Sequence, residues 1–201
     1  VMNGFGIEVE VLKQEKIVKS SNQFIISYSG TVYLNQEFRT LFEGINKFAR
    51  ENSDLEVILQ FIGAKGFHFG NRELIEDDEA YAFTMLFTDR LPWSEAYMEL
   101  RKSNALCLTS YKNLKGIPTS KLFEYITTDV PIVLAPSDKD VIEEVLTITN
   151  TGLICNSGED VFLSLEKIHS NSTFLEPNYS FIEKYSSSFQ TKKLSNLLDK
   201  I

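Results

Sequence analysis

The sequence has few of the side chains that metal centres and disulfide frameworks need. Its 201 residues include two cysteines and two histidines. Cys107 and Cys155 both lie in apolar segments predicted to be strands, where a buried free thiol is the usual interpretation. His68 and His169 are isolated and share no ligand spacing with either cysteine, so a metal site is not expected. We therefore expect no metal, and a bound cofactor is not expected either.

Long apolar runs and clusters of basic residues are also absent from the sequence. No segment approaches the roughly 20 apolar residues that span a bilayer, and no secretory signal is found. The chain has 20 Lys and Arg against 28 Asp and Glu, which gives a net charge of -8. Nucleic acid is not an expected partner, because binding it broadly needs clustered cations. We expect a cytoplasmic protein in which any phosphate site is local.

The common nucleotide-binding and hydrolytic motifs are missing. No G-x-G-x-x-G follows the first predicted strand, where Gly30 stands alone, and residues 63–66 (G-A-K-G) have the wrong spacing. These observations disfavour a dinucleotide dehydrogenase. The absence of G-x-x-x-x-G-K-[ST] disfavours a P-loop NTPase, and two remote histidines do not form a convincing Ser-His-Asp triad.

Apolar segments alternate with segments of helical periodicity along the chain. Six segments predict strands: residues 24–28, 55–62, 83–87, 105–108, 131–135 and 152–155. Each is expected to be apolar on both faces, as in a parallel sheet that helices cover on both sides. Helices are predicted between the strands and over residues 160–169 and 189–198. This order predicts a doubly wound, Rossmann-like α/β sheet of about six parallel strands, with residues 1–22 as a linker and 23–201 as one domain.

Residues 116–136 combine a loop, a short helix and a buried strand, and they carry the strongest functional signal. Thr119 and Ser120 are helix-capping residues. The free N–H groups and positive dipole of a helix start, together with the cation of Lys121, favour a phosphate group. Glu124 lies one turn later, where a carboxylate can accept two hydrogen bonds from the diol of a ribose. These residues predict a nucleoside-diphosphate site.

Structural interpretations of the same residues stay open at this point. Lys121 and Glu124 are i,i+3 neighbours, and a surface ion pair worth about 0.2–0.5 kcal/mol would explain them without a ligand. Gly30 can be a turn that ends a strand. Trp93, the single tryptophan, is interpreted as a packing residue at a helix start rather than as a stacking platform.

Three segments carry motifs that occur together in one family. Residues 1–5 read V-M-N-G-F, residues 28–33 read Y-S-G-T-V-Y, and residues 119–132 read T-S-K-L-F-E-Y-x(5)-P-I. They resemble the domain linker, the first strand and the donor-closing element of the C-terminal, donor-binding domain of GT-B glycosyltransferases, especially the retaining family 4 type. The resemblance extends over nearly the whole chain and implies that the chain is one half of a GT-B fold.

The resemblance implies a nucleoside-diphosphate sugar as substrate and assigns roles at matching positions. Glu124 corresponds to the glutamate that takes the ribose hydroxyls, and Lys121 to a residue beside the diphosphate; both are expected to be catalytic. Gly30 and Thr31 correspond to the glycine turn under the phosphates. The complete set of expected donor-binding residues is Gly30, Thr31, Arg90, Leu91, Thr119, Ser120, Lys121 and Glu124, of which Arg90 and Leu91 flank the nucleobase.

The sequence departs from the family pattern in two places. Many relatives have a glutamate eight positions before the ribose-binding one, where it contacts the transferred sugar, but this chain has Gly116 there. Many also have an Arg and a Lys soon after the glycine turn, whereas residues 31–37 contain neither. The residues considered as substitutes are Lys121, Arg39, Lys112 and Lys115, or residues of the acceptor-side domain.

The expected function is donor binding and leaving-group stabilisation in glycosyl transfer. The partner would be an N-terminal acceptor-binding domain that these residues lack, so we expect little or no transfer by this chain alone. Peripheral membrane association of the full-length protein is kept as an open expectation. Two alternatives are a nucleotide-sugar epimerase half-domain and a non-catalytic α/β module that binds a nucleotide or a protein.

Overall fold

The described part of the protein folds around a parallel sheet. The structure is a computed structural model that describes residues 4–6, 17, 22–66, 81–172 and 175–199. The strands of these residues are β1 (Gln23–Ser29), β2 (Glu56–Ile62), β3 (Thr84–Phe87), β4 (Ala105–Leu108), β5 (Ile132–Leu134) and β6 (Gly152–Ile154). They pair in the order β3-β2-β1-β4-β5-β6. This is the strand order of a doubly wound Rossmann sheet, so the predicted fold class is confirmed.

Helices connect the strands in the described ranges. They are α1 (Arg39–Glu51), α2 (Trp93–Lys102), α3 (Ser120–Tyr125), α4 (Val141–Thr149), α5 (Gly158–His169), α6 (Tyr179–Ile182), a 3₁₀ turn (Glu183–Tyr185) and α7 (Ser187–Leu198). Each predicted strand has its counterpart, as do the helices predicted over residues 160–169 and 189–198, with ends that differ by one or two residues. The helix predicted between the second and third strands lies largely outside the described residues. His68 lies outside the described residues, and so does most of the predicted linker over residues 1–22.

The sheet separates two hydrophobic clusters, because successive side chains of a strand point to opposite faces. Cys107 of β4 and Val133 of β5 belong to the first cluster, which α1 and α5 cover. Leu106 of β4 and Leu134 of β5 belong to the second, which α2, α3 and α4 cover. The interior strands β4 and β5 therefore carry apolar side chains on both faces, as predicted.

The strands at the sheet edges are largely apolar, as predicted, but they are less buried than a sheet covered on both faces implies. No residue of β3 or β6 is fully buried, and Leu86 of β3 is 45% exposed. Among the described strands, each of these two has a neighbour on one side only. The second face of central strand β1 also has a polar position, where Ser27 donates to Gln60 (3.2 Å) and accepts from Ser103 (2.7 Å).

The two cysteines and His169 pack against other parts of the structure. Cys107 and Cys155 are buried free thiols, as predicted, and burial raises the pKa of Cys107. His169 is exposed at the end of α5 and packs edge-on against Phe24 and Phe48. In the ranges that the structure describes, no three His, Cys, Asp or Glu side chains are grouped to hold a metal. None of the helices found there is long and apolar enough to cross a membrane.

Helices α1 and α5 approach each other closely at two glycines. A Cβ added to Gly44 would lie 2.5 Å from the carbonyl oxygen of Gly158 and also overlap Val161. A Cβ added to Gly158 would lie 2.9 Å from the Cβ of Glu43. Because glycine has no side chain, Gly44 and Gly158 allow the two helices that cover the first cluster to pack this closely.

Gly44→Ala should destabilise the protein. Overpacking against a backbone carbonyl costs about 3 kcal/mol, whereas alanine gains about 1 kcal/mol over glycine in a helix, so we expect a net loss of about 2 kcal/mol. Urea unfolding followed by circular dichroism measures this loss as a lower midpoint. Glu51→Ala, at an exposed position of the same helix, is the control and should change stability by less than about 0.5 kcal/mol. Equal midpoints for both variants would contradict the close approach.

Candidate functional site

A cleft of about 280 Å³ opens at the carboxyl ends of β1 and β2. It lies beside the point where the strand order reverses between β1 and β4, which is where doubly wound sheets bind ligands. The cleft brings together five of the predicted donor-binding residues, which are Gly30, Thr31, Arg90, Leu91 and Glu124. Thr119, Ser120 and Lys121 do not line it.

Two glycines end adjacent strands at the floor of the cleft. Gly30 (φ +76°) follows β1 and Gly63 (φ +74°) follows β2, in a backbone region that other residues rarely adopt. The N–H of Gly30 donates to the carbonyl of Ile62 (2.7 Å), and the N–H of Gly63 donates to Oγ1 of Thr88 (3.0 Å). These turns leave a patch of backbone that a ligand can approach closely.

Lys121 lies beside the first of these glycine turns. A Cβ added to Gly30 would be 3.5 Å from Cε and 3.7 Å from Nζ of Lys121. The ammonium also lies 4.9 Å from the ring centroid of Tyr28 and 5.8 Å from that of Tyr33, in the range of cation–π attraction. Burial lowers the pKa of Lys121 to about 8, against the opposing effect of Glu124.

The ion pair between Lys121 and Glu124 that the sequence leaves open is not formed. Lys121 takes part in none of the ion pairs that join described residues. Oε1 of Glu124 instead accepts a hydrogen bond from Nε1 of Trp93 (3.3 Å). Burial raises the pKa of Glu124, while the Trp93 hydrogen bond and the charge of Lys121 act in the opposite direction. Two opposite charges therefore lie near the glycine turn without direct pairing.

Tyr125 fixes helix α3, which carries both charges, to the end of β1. Its buried hydroxyl accepts a hydrogen bond from the N–H of Ser29 (2.7 Å) and donates to Oγ of Ser29 (3.2 Å). Burial raises the pKa of Tyr125, which keeps its proton in place. One side chain therefore places Glu124 relative to the Gly30 turn.

A second tyrosine attaches helix α2 to the far end of α3. The buried Tyr97 hydroxyl donates to the carbonyl of Thr127 (2.9 Å). Trp93, one turn earlier on α2, stacks on Tyr97 with ring centroids 5.4 Å apart and planes inclined by 23°. Trp93 is thus a packing residue, as predicted, and in addition it lines the cleft and hydrogen bonds to Glu124.

The remaining basic residues and caps do not converge on the cleft. Thr119 is the N-cap of α3 and its hydroxyl accepts from the N–H of Leu122 (3.4 Å), whereas Ser120 is exposed. Lys115 donates to the carbonyl oxygens of Asp138 and Lys139. Three of the basic residues considered as replacements for the family's Arg and Lys do not line the cleft: Arg39, Lys112 and Lys115.

The sequence prediction did not include Gly63 among the site residues and underestimated Trp93. Gly63 follows β2 as Gly30 follows β1, so the recurrence of glycine after adjacent strands was a usable signal. No comparable signal exists for Trp93, because its contact with Glu124 joins residues 31 positions apart on different helices.

Comparison with solved structures supports the fold. No protein-family model and no curated protein sequence matches the chain. An α,α-trehalose-6-phosphate synthase from Burkholderia multivorans has a TM-score of 0.61 at 11% identity, and the match covers 89% of this chain and 43% of that one. A trehalose-6-phosphate synthase studied with bisubstrate glycomimetics has a TM-score of 0.67 at 12% identity, with coverages of 98% and 51%.

A third similar structure has a different activity. The UDP-GlcNAc 2-epimerase of Methanocaldococcus jannaschii, in complex with UDP-GlcNAc and UDP, has a TM-score of 0.58 at 8% identity, with coverages of 97% and 49%. At such low identities the likeness establishes the fold. The chain has a doubly wound, Rossmann-like fold that matches one part of these structures, and it spans about half of their length.

Tyr125→Phe should destabilise the protein by about 1–3 kcal/mol, because the N–H of Ser29 loses its partner in a partly buried place. Thermal unfolding at a fixed protein concentration measures the change. Tyr185→Phe is a matched control, since the Tyr185 hydroxyl makes no hydrogen bond to the residues that the structure describes. If the two variants were equally stable, the proposed attachment of α3 to β1 would be wrong.

Proposed function

We propose that this chain is the C-terminal, donor-binding half of a GT-B glycosyltransferase similar to family 4, and that it binds a nucleoside-diphosphate sugar. The observation that supports this most is the convergence of Gly30, Arg90 and Glu124 on one cleft, with Lys121 beside Gly30. A carboxylate, a cation and an open backbone turn occur together where a doubly wound sheet binds nucleotides.

Each part of the donor has a complementary group in the cleft or directly beside it. The oxygens of Glu124 accept hydrogen bonds from the ribose diol. The diphosphate lies along the turn at Gly30 and Thr31, close to the ammonium of Lys121. The nucleobase lies against the segment that contains Arg90 and Leu91.

The chemical role of this half is to stabilise the leaving group. As the bond between the sugar anomeric carbon and the β-phosphate oxygen breaks, its electron pair stays on the phosphate. The oxygen of an acceptor hydroxyl forms the new bond to the anomeric carbon, and the hydroxyl proton passes to a base on the acceptor side. Lys121 is already in position before the reaction begins. It stabilises the negative charge that develops on the phosphate, so that no metal is required for this role. The acceptor site belongs to a second domain, so this chain alone binds donor and transfers little or no sugar.

An epimerase half is the second candidate, because the Methanocaldococcus jannaschii structure has the same fold and is a complex with UDP-GlcNAc and UDP. Both candidates predict nucleoside-diphosphate binding at the cleft. An epimerase also needs acid and base groups at the sugar. Assay of the full-length protein separates the two, since a transferase releases nucleoside diphosphate only when an acceptor or water takes the sugar, whereas an epimerase isomerises the sugar.

Titration of UDP- and GDP-sugars by calorimetry should show saturable binding of at least one donor. Glu124→Gln keeps the shape of the side chain and removes its charge, so affinity for that donor should fall by about 1.5–3 kcal/mol, or roughly 10- to 100-fold. Glu144→Gln, at an exposed position on α4, is the control and should bind like the unaltered chain. Unchanged affinity in Glu124→Gln would refute the ribose assignment, and lack of binding by every donor would refute the function.

The affinity for diphosphate should also depend on pH. Lys121 has a pKa lowered to about 8 by burial, so it loses its proton as pH rises above that value, and affinity for UDP or GDP should then decrease. The ligand's own phosphate groups, whose last pKa is about 6, stay ionised over this range. Calorimetry between about pH 7 and about pH 9.5 measures the trend.

Two variants of Lys121 distinguish the titration of its ammonium from the titration of other groups. Lys121→Arg keeps a permanent cation and should remove the pH dependence, because arginine does not titrate in this range. Lys121→Gln should bind weakly at every pH. A decrease in affinity that persists unchanged in Lys121→Arg would show that another group is responsible.

A further inference from the structure

We infer that Trp93 is a positioning residue for Glu124, and that its indole N–H gives the cleft its preference for a ribose diol. This inference rests on the proposed function and deepens it. It concerns a side chain for which the motifs of the sequence predict only a packing role.

The first support is that Trp93 is itself held in place. Its ring stacks on Tyr97 (5.4 Å, 23°). Tyr97 is buried, and its hydroxyl hydrogen bonds to both the carbonyl oxygen (2.9 Å) and Oγ1 (3.1 Å) of Thr127. Thr127 follows α3, the helix that carries Glu124. The indole plane is therefore fixed relative to the carboxylate by a buried ring and its hydrogen bonds.

The second support is the way in which Trp93 meets Glu124. Nε1 lies 3.3 Å from Oε1, whereas Oε2 makes no hydrogen bond to the part of the chain that the structure describes. An indole N–H is a donor only. It therefore favours the ionised carboxylate and restrains its rotation, while Oε2 and the second lone pair of Oε1 stay available to two hydroxyl donors.

The third support is the position of Trp93 in the cleft. It lines the cavity together with Glu124 and Gly30, and the residue is 36% exposed. A ligand hydroxyl that reaches Glu124 thus meets a carboxylate whose direction is already set. This restraint reduces the conformational entropy that the Glu124 side chain loses when a ligand binds.

Trp93→Phe tests the inference, because phenylalanine can still stack on Tyr97 but has no N–H. Affinities for UDP, 2′-deoxy-UDP, GDP, 2′-deoxy-GDP and pyrophosphate are measured by calorimetry in both proteins. The unaltered chain should prefer the ribose form by about tenfold, the expected effect of one charged hydrogen bond. In Trp93→Phe this ratio should fall to about threefold or less, while pyrophosphate affinity stays within about twofold.

A double-mutant cycle shows whether Trp93 acts through Glu124. If it does, Trp93→Phe should change the ribose preference in the unaltered background and have no further effect in the Glu124→Gln background. Independent, additive effects would overturn the inference. An effect that follows the base, uracil against guanine, rather than the sugar would also overturn it, since it would indicate base stacking.

The outcomes separate this inference from the proposed function. If the unaltered chain binds UDP or GDP with a ribose preference and Trp93→Phe keeps that preference, the inference is wrong and the function stands. If the unaltered chain binds neither nucleotide, or binds without a ribose preference, the role of Glu124 fails and the inference fails with it.

A measurement on the unaltered chain covers the case in which Trp93→Phe does not fold. Trp93 is the single tryptophan, so a ¹⁵N-labelled sample gives one indole N–H resonance without any assignment problem. That resonance should move on addition of the nucleotide that binds and in Glu124→Gln, and should stay in place on addition of pyrophosphate. If the resonance moved neither on addition of the nucleotide nor in Glu124→Gln, the inference would be overturned.

Discussion

The hydrogen bonds between Tyr125 and Ser29 are the contacts on which the candidate site depends. They join a helix of six residues to the end of β1, and that helix carries both Lys121 and Glu124. A helix so short has little stability of its own, because helix nucleation is unfavourable. Its position therefore comes from the buried side chains that attach it to the sheet, and the two charged groups reach the Gly30 turn as a consequence.

The electrostatics of the cleft follow from this attachment. Burial lowers the pKa of Lys121 and raises that of Glu124, which means that each charged form is disfavoured by loss of water. The two side chains do not form an ion pair that would offset this loss. A ligand with an anionic group for Lys121 and hydroxyl donors for Glu124 would supply both missing interactions, and a nucleoside diphosphate has both.

The sequence predicts the sheet well because interior strands such as β4 and β5 are apolar on both faces. Gly30 and Glu124, which follow a recognisable strand and a recognisable helix cap, both line the cleft. It misjudges β3 and β6, since an apolar segment does not reveal whether a strand lies at a sheet edge. It also cannot pair Trp93 with Glu124, because that contact depends on how α2 and α3 pack. The local sequence pattern thus predicts the individual strands and helices, whereas the contacts between helices depend on the tertiary structure.

The most direct test of the account is a crystal structure of the chain with UDP or GDP. The account predicts the ribose hydroxyls within hydrogen-bond distance of Glu124 and the diphosphate along the Gly30 turn beside Lys121. Density for the nucleotide at another place, or a ribose turned away from Glu124, would contradict it.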